Sequence, residues 1–189
     1  MNTAISLAQT GARVLVIDAD MRRPTVHTIF NITNVAGLST VLSRDVNEQD
    51  ILSLVDFQQE SGLHLMTSGP IPPNPAELLG SNQMRQLLQT LEPHFDHIVI
   101  DSPPITNVTD GVLLASLVDG VILVVHGGHS TREIVRRARQ LLRGVGARIF
   151  GVVLNNVKLR EHDYYYEGYY SKAYRSESPT SASLISLAK

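Results

Sequence analysis

Val14-Leu15-Val16-Ile17-Asp18-Ala19-Asp20 sets four aliphatic residues against two acids. An unbroken aliphatic run of this length, rather than an alternating one, fits a strand covered on both faces, and sheets covered on both faces are typically parallel. Two further runs read the same way: Val121-Ile122-Leu123-Val124-Val125 and Phe150-Gly151-Val152-Val153-Leu154. With their flanks, the pattern predicts strands over Arg13–Asp18, Leu63–Ser68, His97–Ser102, Gly120–His126 and Arg148–Leu154. Helical periodicity falls between them, over Asn2–Thr10, Ser81–Leu91, Thr109–Leu117 and Ser130–Arg143. Ser130-Thr131-Arg132-Glu133 has the form of a capping box, and Ile134, Val135, Ala138, Leu141 and Leu142 form the apolar stripe behind it. Strands alternating with helices give an α/β, doubly wound, mainly parallel fold.

Composition narrows the function classes. The chain has 189 residues, 43% of them apolar and 18% charged, which suits a single soluble domain. A net charge of -2 gives no electrostatic reason to expect nucleic acid as a partner. With no cysteine there is no disulfide, no thiolate nucleophile and no cysteine-held metal. Met1-Asn2-Thr3-Ala4 lacks the layout of a signal peptide, and no apolar run approaches the ~20 residues that span a bilayer.

In open parallel sheets, ligands bind beyond the carboxyl ends of the strands. Two of the predicted strands end there in acids. One ends in Asp18-Ala19-Asp20, and the other runs Ile98-Val99-Ile100-Asp101-Ser102-Pro103-Pro104. Asp18 and Asp20, two apart, share a side in extended backbone. A carboxylate beside buried strands is costly unless paired or bound to a cation. A hard divalent ion such as Mg²⁺ on a nucleotide would resolve that cost. The competing reading is that each Asp caps the following turn. Arg22-Arg23-Pro24 follows directly, and an arginine there reaches a phosphate, a neighbouring acid or a subunit partner, or is simply solvated.

These residues resemble those of the bacterial protein-tyrosine kinases. Val14–Pro24 (VLVIDADMRRP) is similar to that family's aliphatic-Asp-x-Asp-x-Arg motif, and Ile98–Pro104 (IVIDSPP) to its Walker B motif. Ser68–Leu79 (SGPIPPNPAELL) and Gly151–Asn155 (GVVLN) also resemble family segments, and the match runs in order from Met1 to about Asn156. The two Asp motifs are shared with partitioning and septum-site ATPases; the arginine pair and the proline-rich segment point more narrowly to the kinases. The resemblance implies a P-loop NTPase fold that binds ATP and Mg²⁺. It implies catalytic roles for Asp18, Asp20 and Arg22, with Asp18 as candidate base. It implies magnesium placement by Asp18, Asp20 and Asp101, and nucleotide contacts from Asp101, Asn155 and Asn156. It further implies self-association into a homo-oligomer, a membrane-embedded polysaccharide chain-length regulator as partner or fused domain, and a place at the cytoplasmic face of the plasma membrane.

All six tyrosines, Tyr164, Tyr165, Tyr166, Tyr169, Tyr170 and Tyr174, lie within eleven residues (Tyr164–Tyr174) near the end of the chain. The expectation is a nucleotide-binding core over 1–160 and a flexible tail over 161–189, whose tyrosines accept phosphate from another subunit. No G-x-x-x-x-G-K-[ST] phosphate loop occurs in the 189 residues. The family places that loop, and a central strand, just before the helix that Asn2–Thr10 resembles. The chain is therefore expected to be an N-terminally truncated or mis-started member, or a degenerate paralogue acting as a binding module. A partitioning-type ATPase is a third possibility, which the tyrosine cluster disfavours.

Overall fold

The computed structural model describes residues 1–157. In chain order the elements are α1 (Asn2–Ala8), β1 (Val14–Asp18), α2 (Val26–Ile29), α3 (Leu38–Leu42), α4 (Glu48–Ser53), β2 (Asp56–Gln58), β3 (Leu63–Met66), α5 (Pro75–Leu79), α6 (Asn82–Leu91), β4 (His97–Asp101), α7 (Asp110–Ala115), β5 (Val121–His126), α8 (Arg132–Gly144) and β6 (Ile149–Asn155). The α/β architecture and the parallel pairing are as the sequence implies. The short helices α2 to α5 and strand β2 carry too few residues to show a period, and the sequence pattern misses them.

β1 is the organising strand. It pairs in parallel with β3 on one side and with β4 on the other, in the order β2-β3-β1-β4. β2 adds an antiparallel edge. Every β1 residue is buried, because two apolar clusters press on its two faces. Leu15 and Ile17 face one, with Met21, Leu38, Met84, Leu87 and Leu91. Val14 and Val16 face the other, with Ala4, Val26, Leu63 and Leu65. The unbroken aliphatic pattern of β1 is thus explained by burial on both sides.

The two later aliphatic runs behave differently. β5 and β6 pair with each other in parallel and form a separate two-stranded sheet. Ile122 and Val124 are exposed on β5, and Phe150, Val152, Val153 and Leu154 on β6. Burial on both faces, expected from the sequence, is not found: α8, the helix that joins the two strands, buries only Ala138 and Leu142 of its predicted stripe. The cap of α8 also moves by one residue: Thr131, not Ser130, accepts the Ile134 amide at 3.3 Å.

The Thr67–Pro70 turn after β3 is fastened to the start of α3. Leu38 N donates to Thr67 O and Ser39 N to Ser68 O, both at 2.8 Å, and Ser39 Oγ donates to Pro70 O at 2.6 Å. Gly37 makes this approach possible, since a Cβ there would meet Thr67 O at 2.2 Å and Gly69 N at 2.6 Å. We expect Gly37→Ala to lower Tm by about 4–8 °C, as overpacking against fixed backbone does. Gly144→Ala, in open space at the end of α8, should leave Tm unchanged or raise it slightly. Thermal unfolding of the two variants side by side checks the contrast.

Candidate functional site

The paired β1–β4 register ends on two acids. Asp18 and Asp101 are direct Cα partners across the parallel pair, and Ala19 N donates to Asp101 O at 2.8 Å beyond them. Neighbouring strands lie about 4.8 Å apart, so two carboxylates share one mouth of the sheet.

Asp18 is fully buried. Its Oδ2 accepts from Thr25 N and Val26 N, both at 3.0 Å, and its Oδ1 accepts from Asp20 N at 3.2 Å. It therefore does cap the turn that follows, which was the competing reading of the sequence. Burial nonetheless outweighs those three donors and raises its pKa above the ordinary carboxylate value, with the charge of Asp20 adding to the shift. Asp101 also titrates high, first through desolvation and then through repulsion from Asp18 and Asp20; the α-amino group of Met1 partly offsets this. Two like charges side by side, Asp18 buried and Asp101 open to solvent, form a place where a cation would be welcome.

Asp20 and Arg22 are turned elsewhere than extended geometry suggests. β1 stops at Asp18, so the alternation that would align Asp18 with Asp20 does not continue. Asp20 Oδ1 folds back to accept Arg22 N at 3.2 Å and Arg23 N at 3.0 Å. Among the described residues, no three acidic or histidine side chains are grouped closely enough to hold a metal ion alone. Asp18, Asp20 and Asp101 thus do not form a self-sufficient cage, and ligands from a nucleotide or water would have to complete one.

Arg22 pairs with a neighbouring acid, one of the partners its sequence context allows. Its Nε donates to Asp110 Oδ2 at 2.8 Å and its Nη2 to Asp110 Oδ1 at 3.0 Å. The Asp110 side chain is 0% exposed and that of Arg22 is 42% exposed. A buried carboxylate needs such a partner, and the bidentate fork is the strongest one available. The pair ties the loop after β1 to the first turn of α7, which follows β4. Asp110 is the residue that sequence reading missed; its one local signal is an acid at the first position of a helix, beside Thr109.

Asn155 and Asn156 lie at the carboxyl end of β6, in the second sheet. Asn155 Oδ1 accepts Asn156 N at 2.9 Å, and Asn155 is the register partner of His126. Asn156 adopts φ 54° and places its Nδ2 3.0 Å from His126 Nε2. His126 Nδ1 lies 3.0 Å from Gly127 O, so a ring that donates at Nδ1 and accepts at Nε2 satisfies both contacts. His126 also stacks on His129, with centroids 4.5 Å apart. The structure thus brings Asp18, Asp20, Arg22 and Asp101 together at one sheet and Asn155 and Asn156 at the other. Tyr164, Tyr165, Tyr166, Tyr169, Tyr170 and Tyr174 lie outside the described residues.

Comparison with known proteins gives a consistent answer. The family described as ParA, NUBPL iron-transfer P-loop NTPase, matches residues 1–169. The tyrosine-protein kinase YwqD of Bacillus subtilis is 40% identical over 169 residues, which cover 89% of this chain and 69% of YwqD. Among solved structures, the kinase domain of the Escherichia coli tyrosine kinase ETK superposes with a TM-score of 0.78 at 35% identity, over 84% of this chain and 61% of that one. The chimerical protein CapA2B2 superposes with a TM-score of 0.77 at 37% identity, over 84% of this chain and 69% of that one.

Two predictions follow from the geometry. The raised pKa values of Asp18 and Asp101 mean that ionising them costs native stability: their contribution is fully present below the unfolded value, near 3.9, and is lost as pH rises through the folded values. Asp101→Asn removes one charge of the two, so it should raise Tm at pH 7 by about 1–2 °C. The gain should vanish as pH falls through the carboxylate range; a lower Tm for Asp101→Asn at pH 7 would contradict the repulsion. For the ion pair, Arg22→Ala strands a buried carboxylate whereas Asp110→Asn leaves a half-exposed guanidinium that water can solvate. Urea unfolding should show the larger loss for Arg22→Ala; equal losses would mean that burial of Asp110 is not what the pair offsets.

Proposed function

The chain belongs to the ParA-type P-loop NTPases and, within them, to the bacterial tyrosine-protein kinases, and from that premise we propose that residues 1–160 are the Mg·ATP-binding core of a protein-tyrosine kinase whose acceptors are its own clustered tyrosines. One observation carries the reading: Asp18 and Asp101 are register partners at the carboxyl mouth of two parallel strands, both pushed toward the neutral form by their surroundings. Carboxylate oxygens are the donors that Mg²⁺ prefers, and a bound dication would relieve the repulsion. In this reading Asp18 and Asp101 would hold magnesium, with Asp20 adding negative charge beside them. Magnesium, when bound to the nucleotide, would neutralise charge on the transferring phosphoryl group.

Asp18, its pKa raised by burial, is suited to accept a proton from a tyrosine hydroxyl brought to the mouth. Its three backbone donors fix where its oxygens point. The Arg22–Asp110 pair holds the Asp20 loop against α7, so Arg22 acts through position rather than by touching phosphate. Asn155 and Asn156 serve the nucleotide base. The tyrosines of Tyr164–Tyr174 are modified in trans within a homo-oligomer, and the whole acts with a membrane-embedded polysaccharide chain-length regulator at the inner face of the plasma membrane in exopolysaccharide or capsule export. A non-catalytic module docking on such a regulator is the second reading, favoured by the lack of a phosphate loop in the 189 residues.

β4 and β5 bear on how the nucleotide's phosphates would be held. They are not hydrogen-bonded to each other, and each leaves an edge unpaired among the described residues. A strand that leads into a phosphate loop would fit between them. Residues 1–189 as an isolated polypeptide should therefore bind Mg·ATP weakly or not at all. Isothermal titration checks this directly, and a submicromolar Kd would refute the need for an outside phosphate cradle.

A further inference from the structure

α8 carries a stripe of like charge that no acidic side chain pairs among the described residues. Arg132, Arg136, Arg139 and Arg143 follow one another at spacings of four, three and four, so they stand on one face of the helix. Residues so spaced are neighbours, and like charges there destabilise a helix. Among the described residues none of the four has an ion pair or a side-chain hydrogen bond. Alongside the stripe, where α8 fails to cover the second sheet, runs a trough of about 390 Å³. Its floor and wall are Leu123, Ile149 and Val152 of β5 and β6 and Val135 of α8, and its rim is Arg139 and Arg143. Val152 is 60% exposed there.

An apolar floor with two guanidinium groups at its edge is the chemistry that recognises an aryl phosphate: the ring lies on the aliphatic side chains while the arginines take the phosphate oxygens. We propose that this trough binds phosphotyrosine, and that its occupant is the phosphorylated Tyr164–Tyr174 segment. Charge argues for that occupant, because each phosphate adds about -1.5 to -2 at neutral pH and the stripe offers four positive charges. Chain length allows it. The seven residues from Val157 to Tyr164 reach roughly 23 Å when extended. Val152 in the trough lies five residues before Val157, roughly 17 Å of extended strand, which is within that reach. The site is separate from the acids at the mouth of β1 and β4 and from Asn155 and Asn156. It rests on the proposed function for its meaning: phosphorylated tails would be captured and withdrawn from further reaction.

The test uses a synthetic, dye-labelled peptide of Tyr164–Tyr174 carrying one phosphate on Tyr169, titrated with the full unphosphorylated chain and followed by fluorescence anisotropy. The phosphopeptide should bind at least about tenfold tighter than the unphosphorylated peptide, as charge-assisted bonds to two arginines imply. Phenyl phosphate should displace it at concentrations where inorganic phosphate does not. The double variant R139Q/R143Q should weaken binding by about tenfold or more, whereas R137Q, the same charge loss off the stripe, should not. Val152→Asp, which puts a negative charge on the floor, gives a second route to the same loss; circular dichroism confirms that each variant is folded. Equal binding of the two peptides, equal displacement by phenyl and inorganic phosphate, or equal effects of R137Q and R139Q/R143Q would overturn the proposal. Because the phosphate is installed chemically, no kinase activity and no ATP enters the measurement, so its failure is distinguishable from failure of the kinase reading.

Discussion

The double-sided burial of β1 is the constraint on which the rest depends. Leu15 and Ile17 are locked into one apolar cluster and Val14 and Val16 into the other, so a slip of the strand by one residue would exchange its two faces. That lock fixes the register against β4, and the register alone places Asp18 opposite Asp101. An electrostatically unfavourable pair is thereby held in place by hydrophobic packing several residues away. Folded proteins keep such local conflicts where a ligand is to relieve them, and the stability of the surrounding core makes this tolerable.

The loop between β1 and α2 is built by the same economy of parts. Asp18 accepts amides from both ends of that loop, Asp20 accepts the amides of Arg22 and Arg23, and Arg22 reaches across to Asp110. Acids that look like ligands in the sequence therefore also shape the backbone. A carboxylate oxygen has more than one lone pair, so the two roles are compatible. Rigid placement of the donor atoms is itself part of what phosphoryl transfer requires of a protein.

Much of this was legible in the sequence because it depends on local pattern. The strands β1, β5 and β6 announce themselves through near-continuous aliphatic runs, and α6 through its period and through Ser81, which caps it by accepting the Met84 amide. The acids at the strand ends stand out for the same reason. What could not be read depends on distance along the chain or on the neighbourhood of an element. The partner of Arg22 is 88 residues away. α2 to α5 run for four to six residues each, too short for a helical period to register. β5 and β6 have the composition of strands covered on both faces, yet their exposure is decided by which layers lie over them, and composition carries no record of that.

The exposure of β5 and β6 has a practical side. Among the described residues, Val152, Val153 and Leu154 are exposed on an edge that no strand pairs, next to a β5 that exposes Ile122 and Val124. Natural sheets blunt such ribbons with lysine, proline or bulges in the strand itself; neither β5 nor β6 contains a lysine or a proline, and their pairing carries a single register shift, between Val121 and Ile122. Among the described residues nothing covers this ribbon, and strand-to-strand addition by a second copy is the hazard such an edge creates. Handling of the polypeptide in solution becomes a matter of concentration and of how quickly a proper neighbour covers the ribbon.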